Sequence, residues 1–260
     1  MPADVADPPG AASVALVTGA GRGIGREVAA RLSAEGLRVA LTARSTDELA
    51  ATAAGCAGET LVLPADLTEP TAPDELFDAV ERQWGRVDVL VANAGAGMSA
   101  KVHDTSDEDW QRMLDINLTA PFRCVRRAVP GMVEAGFGRI VVVASVAAQA
   151  GEPFLAAYSA SKHGVLGLVR SAATELASRG VTVNAVCPGY VDTPMTDAAV
   201  DAIAARTGRS AAAARDLLAA KQPTGRLVTP REVAEAVWFC VVSGSVNGQA
   251  ITIDGGAHQS

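Results

Sequence analysis

Tyr158 and Lys162 stand four positions apart in "YSASKHGVLG" (158–167), so on a helix a phenol and an ammonium share one face. A free phenol, with a pKa near 10, is a poor proton shuttle at neutral pH. A unit positive charge about 4 Å away is worth roughly 4 kcal/mol at an effective dielectric near 20, enough to draw the phenol down by up to about 3 in pKa. Lys162 would thereby bring Tyr158 into the working range of a general acid/base. Tyr-x-x-x-Lys alone is a common pairing, but two further residues join it. Ser145 closes the apolar run "RIVVVAS" (139–145), where its hydroxyl can hold a substrate oxygen. Asn117, in "DINLTAPF", interrupts a helical pattern, where its side chain bends the helix or holds a water.

Such side chains need a scaffold, and the chain spells one. Seven short apolar, β-branched runs, at 13–18, 38–43, 60–65, 87–93, 139–145, 181–187 and 249–254, read as strands buried on both faces. Stretches of helical periodicity such as "REVAARLSAEG" lie between most of them. The expected fold is α/β: a Rossmann-type doubly wound parallel sheet of about seven strands, with helices on both faces. Residues 194–226 form an Ala-rich pair of helices before the last strand, placed to act as a small lid over a substrate pocket. Residues 1–12 read as a flexible tail without the pattern of a signal peptide, and 13–260 as one catalytic domain.

Composition narrows the function. With 260 residues, 49% hydrophobic and 20% charged, the chain is long enough for a substantial core. A formal net charge of −7 argues against nucleic acid, and no apolar run is long enough to span a membrane. Cys56, Cys124, Cys187 and Cys240, with His103, His163 and His258, are too scattered to suggest a metal site. Free thiols suit a reducing cytoplasm.

Directly after the first strand comes "TGAGRGIG" (18–25), opening a helix. Gly19 permits the tight turn, Gly23 the close approach of a diphosphate, and Gly25 the packing of helix on strand. The helix N-terminus then offers unpaired N–H groups to phosphate, so the turn predicts dinucleotide binding. After the second strand, "LTARS" supplies Ala43 and Arg44, with no acid before Asp47 to hold the ribose hydroxyls of NAD(H). Arg44, with Arg22 from the glycine turn, suits a 2′-phosphate, which favours NADP(H) over NAD(H).

From about residue 13 to residue 256 the chain resembles the short-chain dehydrogenases/reductases in their compact single-domain form. The matching pieces are "TGAGRGIG", "ADL" at 65–67, "ANAG" at 92–95, Asn117, Ser145, "YSASK", "PG" at 188–189 with Thr193, and "DGG" at 254–256. The resemblance implies that Tyr158 exchanges a proton with the substrate oxygen. Lys162 would lower the tyrosine's pKa and bond the nicotinamide ribose. Ser145 would orient the carbonyl, and Asn117 would hold a water in a relay to Lys162. Asp66 and Leu67 would lie at the adenine, Asn93, Ala94 and Gly95 along the adenosine side. Pro188, Gly189, Val191 and Thr193 would fix the carboxamide, and Ile24 belongs to the diphosphate turn. Ala92, where the family more often has Asn, is the one small departure.

The implied reaction is reduction of a ketone to a secondary alcohol. The stretch "KQPTGRLVTP" (221–230) is similar to the lid of 3-hydroxybutyrate dehydrogenases. Ala147 and Leu155, however, replace the His and Lys that clamp a small carboxylate there. Without that clamp a free acid would be buried unpaired, so the pocket, with Tyr190 and Met195, reads as apolar. "YSASKHGV" and "VNAVCPGYV" also resemble aromatic polyketide ketoreductases. The expectation is a β-ketoacyl thioester, a polyketide-like or another bulky hydrophobic ketone. The alternatives are an NAD-dependent secondary alcohol or 3-hydroxyacid dehydrogenase, and a non-catalytic dinucleotide-binding module. The family resemblance implies a homotetramer.

Overall fold

The computed structural model describes residues 9, 10 and 12–258; most of the expected tail lies outside the described residues. Seven parallel strands form one sheet in the order 3-2-1-4-5-6-7. They are β1 (Val14–Thr18), β2 (Arg38–Thr42), β3 (Thr60–Val62), β4 (Val89–Ala92), β5 (Gly138–Val143), β6 (Val181–Pro188) and β7 (Ala250–Ile253). Each coincides with one of the apolar runs. The sheet is buried on both sides, which is why those runs are continuous and not alternating. Leu16, Leu90, Ile140 and Val142 point into one core, and Ala15, Val17, Val89, Val91 and Val141 into the other.

The first core is closed by α3 (Ala72–Trp84), α5 (Ala120–Ala135) and α6 (Ala156–Leu176). The second is closed by α1 (Gly23–Ala34), α2 (Thr46–Ala54) and α9 (Pro230–Val242). Helix starts follow capping chemistry: Ser45 accepts from Glu48 N–H, and Thr229 forms a reciprocal box with Glu232. α4 (Asp107–Leu114) runs into α5 through a π turn at residues 115–119. The Ala-rich segment forms two helices, α7 (Pro194–Thr207) and α8 (Ala211–Ala220), with a small core of their own around Val200, Ala214, Leu218 and Leu227.

The outermost strand β7 is tied down by asparagines. Asn184, fully buried in β6, donates to Val246 O at 2.7 Å and accepts from Gln249 N–H at 3.0 Å. Asn184→Ala strands both main-chain groups, so unfolding free energy should fall by about 2 kcal/mol in urea titration. A loss under about 0.5 kcal/mol would mean that water replaces the amide.

Candidate active site

The strand order reverses between β1 and β4, and a crevice opens there beyond the carboxyl ends of the strands. The two ends are stitched together. Thr18 Oγ1 accepts from the N–H groups of Asn93 (3.0 Å) and Ala94 (2.9 Å). Asn93 Nδ2 returns to Thr18 O at 2.9 Å and Gly19 O at 3.2 Å. Asn93 is therefore a brace for the glycine turn first, whatever lies beside it. Gly19 adopts φ 65°, a left-handed conformation, and a Cβ on Gly25 would collide with the Gly19 carbonyl oxygen. Across the crevice, a Cβ on Gly23 would meet Thr193 Cγ2 at 3.1 Å, so the loop after β6 closes on the turn. Val191, in that loop, pairs with Val228.

The turn fits a dinucleotide. α1 starts after Arg22 with no side-chain cap and no acid in its first turn, leaving its N–H groups for an anion. Asp66 Oδ1 accepts from the Thr68 N–H and hydroxyl, which hold the carboxyl below its ordinary range; Arg44 adds to the effect. Leu67 is buried in the first core, Ile24 packs on the second, and Ala94 lines the first. Arg44 is exposed. Arg22 lies 3.6 Å from Glu48, a carboxylate that counting along the sequence missed.

Ser145, Tyr158, Lys162 and Asn117 converge. Ser145, just past β5, accepts from Ala147 N–H at 3.1 Å, which leaves its own proton free to donate. Lys162 is buried at 5% exposure and donates to Val143 O at 3.0 Å. Its Nζ lies 5.8 Å from the centroid of the Tyr158 ring. The expected direction of the tyrosine's pKa is corrected here. Burial pushes the phenol above its ordinary value, the Ser145 hydroxyl pulls it down, and the ammonium faces the ring. Desolvation is the largest influence, so Tyr158 rests as the neutral acid. The same burial lowers Lys162 to about 8. Cys187, beneath Ser145, is pushed up to about 11 and stays a neutral thiol.

Asn117 sits in the π turn, where Ala120 N–H bonds Asp115 O five residues back. The extra residue turns the buried side chain out of the helix onto Ala96: Nδ2 donates to its carbonyl at 2.9 Å, and Oδ1 accepts its N–H at 3.1 Å. The amide is thus spent on protein, and a water would need the main chain. A Cβ on Gly95 would lie 2.9 Å from Asn117 Oδ1, so glycine here leaves the amide in place, and 3.6 Å from Lys162 Nζ, an ordinary contact.

On the substrate side, a cavity of about 330 Å³ is lined by Ala147, Gly189, Tyr190, Glu152, Lys221 and Gln222, among others. Polar groups stand among its apolar lining: Tyr190 Oη donates to Glu152 at 2.7 Å, and Lys221 bonds both Glu152 and, at 3.2 Å, the Tyr190 oxygen. Leu155 and Met195 stand outside this lining, Met195 exposed against Gly97. Lys221 belongs to the quoted lid motif, but its partner is 69 residues away, beyond any local signal.

Comparisons agree with the geometry. Residues 13–204 match the family model of short chain dehydrogenases. A solved structure of an actinorhodin polyketide ketoreductase variant with NADPH superposes with TM-score 0.90 at 40% identity, over 95% of this chain and 97% of that one. The 3-oxoacyl-(acyl-carrier-protein) reductase of Escherichia coli (strain K12) is 35% identical over 94% of this chain and 97% of its own. A D-beta-hydroxybutyrate dehydrogenase of Rhizobium meliloti (strain 1021) is 33% identical over 93% and 97%.

The buried lysine has a cost that can be measured. Its depression from 10.5 to about 8 corresponds to roughly 3 kcal/mol withheld from the folded state while the ammonium is charged. The folded protein binds fewer protons than the unfolded chain between these values, so this penalty is full below pH 8 and fades toward pH 10.5. Lys162→Met should therefore raise stability at pH 7 by about 1–3 kcal/mol in denaturant titration, with the gain shrinking above pH 8. A destabilised variant at pH 7 would show that the Val143 hydrogen bond outweighs desolvation.

Proposed function

The chain belongs to the short-chain dehydrogenase family, and we propose that it is an NADP(H)-dependent ketoreductase converting a β-ketoacyl thioester or polyketide-like ketone to a secondary alcohol. The observation that carries this reading is the geometry around Tyr158: a buried phenol with the Lys162 ammonium 5.8 Å from its ring centroid, beside a Ser145 hydroxyl whose oxygen is already pinned by Ala147 N–H. That is the arrangement a carbonyl oxygen needs as it gains negative charge. Ser145 donates to that oxygen, and Tyr158 transfers its proton to it. When bound, the nicotinamide supplies the hydride. Lys162, fixed by Val143 O, places positive charge at the phenol's face, where it stabilises the phenolate left behind. Asn117 holds the loop through Ala96, keeping Gly95 clear for Lys162.

Arg44 and Arg22 favour a 2′-phosphorylated cofactor, and the solved relative with NADPH supports the same choice. Gly19, Gly23 and Gly25, with Thr193 opposite, form the cradle for its diphosphate. The Glu152–Tyr190–Lys221 network favours a substrate with several oxygens over a plain hydrocarbon ketone. Glu152 neutralises Lys221, so a free carboxylate meets no unpaired cation there; this argues against a 3-hydroxyacid dehydrogenase. α7 and α8 would serve as the lid. Free thiols favour a reducing, cytoplasmic setting, and family likeness a homotetramer. Among the described residues no helix is long and apolar enough to cross a membrane.

NADPH and NADH consumption, followed by absorbance with acetoacetyl-CoA and a bulky aromatic ketone, tests the reading. Turnover should prefer NADPH and fall about a hundredfold or more in Tyr158→Phe, with NADPH binding retained. Unimpaired turnover in that variant would remove Tyr158 as the acid, and preference for NADH would sink the phosphate reading.

Reduction should also depend on pH. Lys162 loses its proton near pH 8, while Tyr158 stays neutral beyond that. The rate of ketone reduction should therefore fall as pH rises through about 8. In Lys162→Met that limb should vanish along with most of the activity; a wild-type profile flat to pH 10 would place the controlling group elsewhere.

A further inference from the structure

The glycine turn carries a charge that neither the phosphate nor the ribose argument used. Glu48, in the first turn of α2, folds back toward the glycine turn while staying partly exposed. A Cβ built on Gly21 would lie 2.9 Å from Glu48 Cβ and 2.9 Å from its Oε2, and 3.6 Å from Ala43 Cβ. The carboxylate and Ala43, the position after β2 where an NAD-preferring chain places its acid, thus both border Gly21. Its Oε1 lies 3.6 Å from Arg22, the guanidinium expected to clamp a 2′-phosphate. Glu48 and Arg22 side chains are 39% and 61% exposed, so each is free to exchange this partner for a ligand. The main-chain N–H of Glu48 is held separately by Ser45, so the side chain does not anchor the helix.

We propose that Glu48 is a specificity-determining residue that sets how strongly the chain prefers a 2′-phosphorylated dinucleotide. With no phosphate present it holds Arg22 across the turn and offers its oxygens to ribose hydroxyls. A 2′-phosphate must take Arg22 from it and tolerate a like charge close by. The site thus contains the determinant for each cofactor, with Glu48 opposing Arg22 and Arg44. This rests on the reading that Arg22 and Arg44 face the adenosine ribose.

Dissociation constants for NADPH and NADH, measured by fluorescence titration without substrate, test it. Glu48→Gln should bind NADPH about three- to fivefold more tightly, as loss of an exposed ion pair allows, and NADH equally or more weakly. In an Arg22→Ala background the gain should shrink, since only the like-charge repulsion is then relieved. An unchanged ratio of the two constants, a gain undiminished without Arg22, or loss of both affinities would overturn the proposal. The wild-type ratio judges the cofactor reading separately: equal or tighter NADH binding would refute NADP(H) preference, while the shift in Glu48→Gln still decides the role of Glu48.

Discussion

A lysine ammonium carried into an almost closed site is the constraint around which the rest is arranged. Lys162 reaches its place because α6 packs against the sheet along most of its length, burying Ser161, Val165, Leu166 and Val169 with it. Once there it has the Val143 carbonyl as hydrogen-bond acceptor and the Tyr158 ring beside it. Among the described residues no carboxylate pairs with it, and desolvation dominates its titration. Burial on this scale is tolerated only where the surroundings are fixed in detail. Gly95 must lack a side chain, and Asn117 must be turned out of its helix by the π turn.

A second constraint acts at the switch point. Two parallel strands that diverge would leave main-chain groups unpaired, and here Thr18 and Asn93 absorb them reciprocally. The crevice is thus rigid at its floor, while its walls come from loops after β2 and β6. On the proposed reading, rigidity at the floor and charge at the rim divide the work: one would fix where a dinucleotide lies, the other would decide which one.

The seven strands and the glycine turn were legible because burial on both faces writes itself as uninterrupted apolar sequence. The four candidate side chains were legible as types, since Tyr158 and Lys162 lie one turn apart. Their electrostatics were not. Spacing places two residues on one face but does not say which atoms approach, and burial of Tyr158 raises its pKa instead of lowering it. Asn117 was seen as an interruption; that it inserts a π turn depends on Ala96, brought near only by the fold. Glu48 was missed because counting from β2 stopped at Asp47, whereas helix geometry leaves Asp47 exposed and swings the next residue back over Gly21. Glu152 and Lys221 escaped because their pairing is wholly tertiary.

The three charged features then follow one logic. At the substrate end Glu152 cancels Lys221, so the wall offers hydrogen bonds without a net field. Beside the glycine turn Glu48 partly cancels Arg22, which on the proposed reading would leave discrimination to a small difference. Only at Lys162 is a charge left uncancelled. A carboxylate placed there would raise the lysine's pKa and add stability, but it would also claim the ammonium's hydrogen bonds and neutralise the field felt by a nascent phenolate. On the proposed mechanism the missing carboxylate is a requirement of the chemistry: with only the Val143 carbonyl as acceptor, the ammonium keeps its charge uncancelled until charge develops on Tyr158.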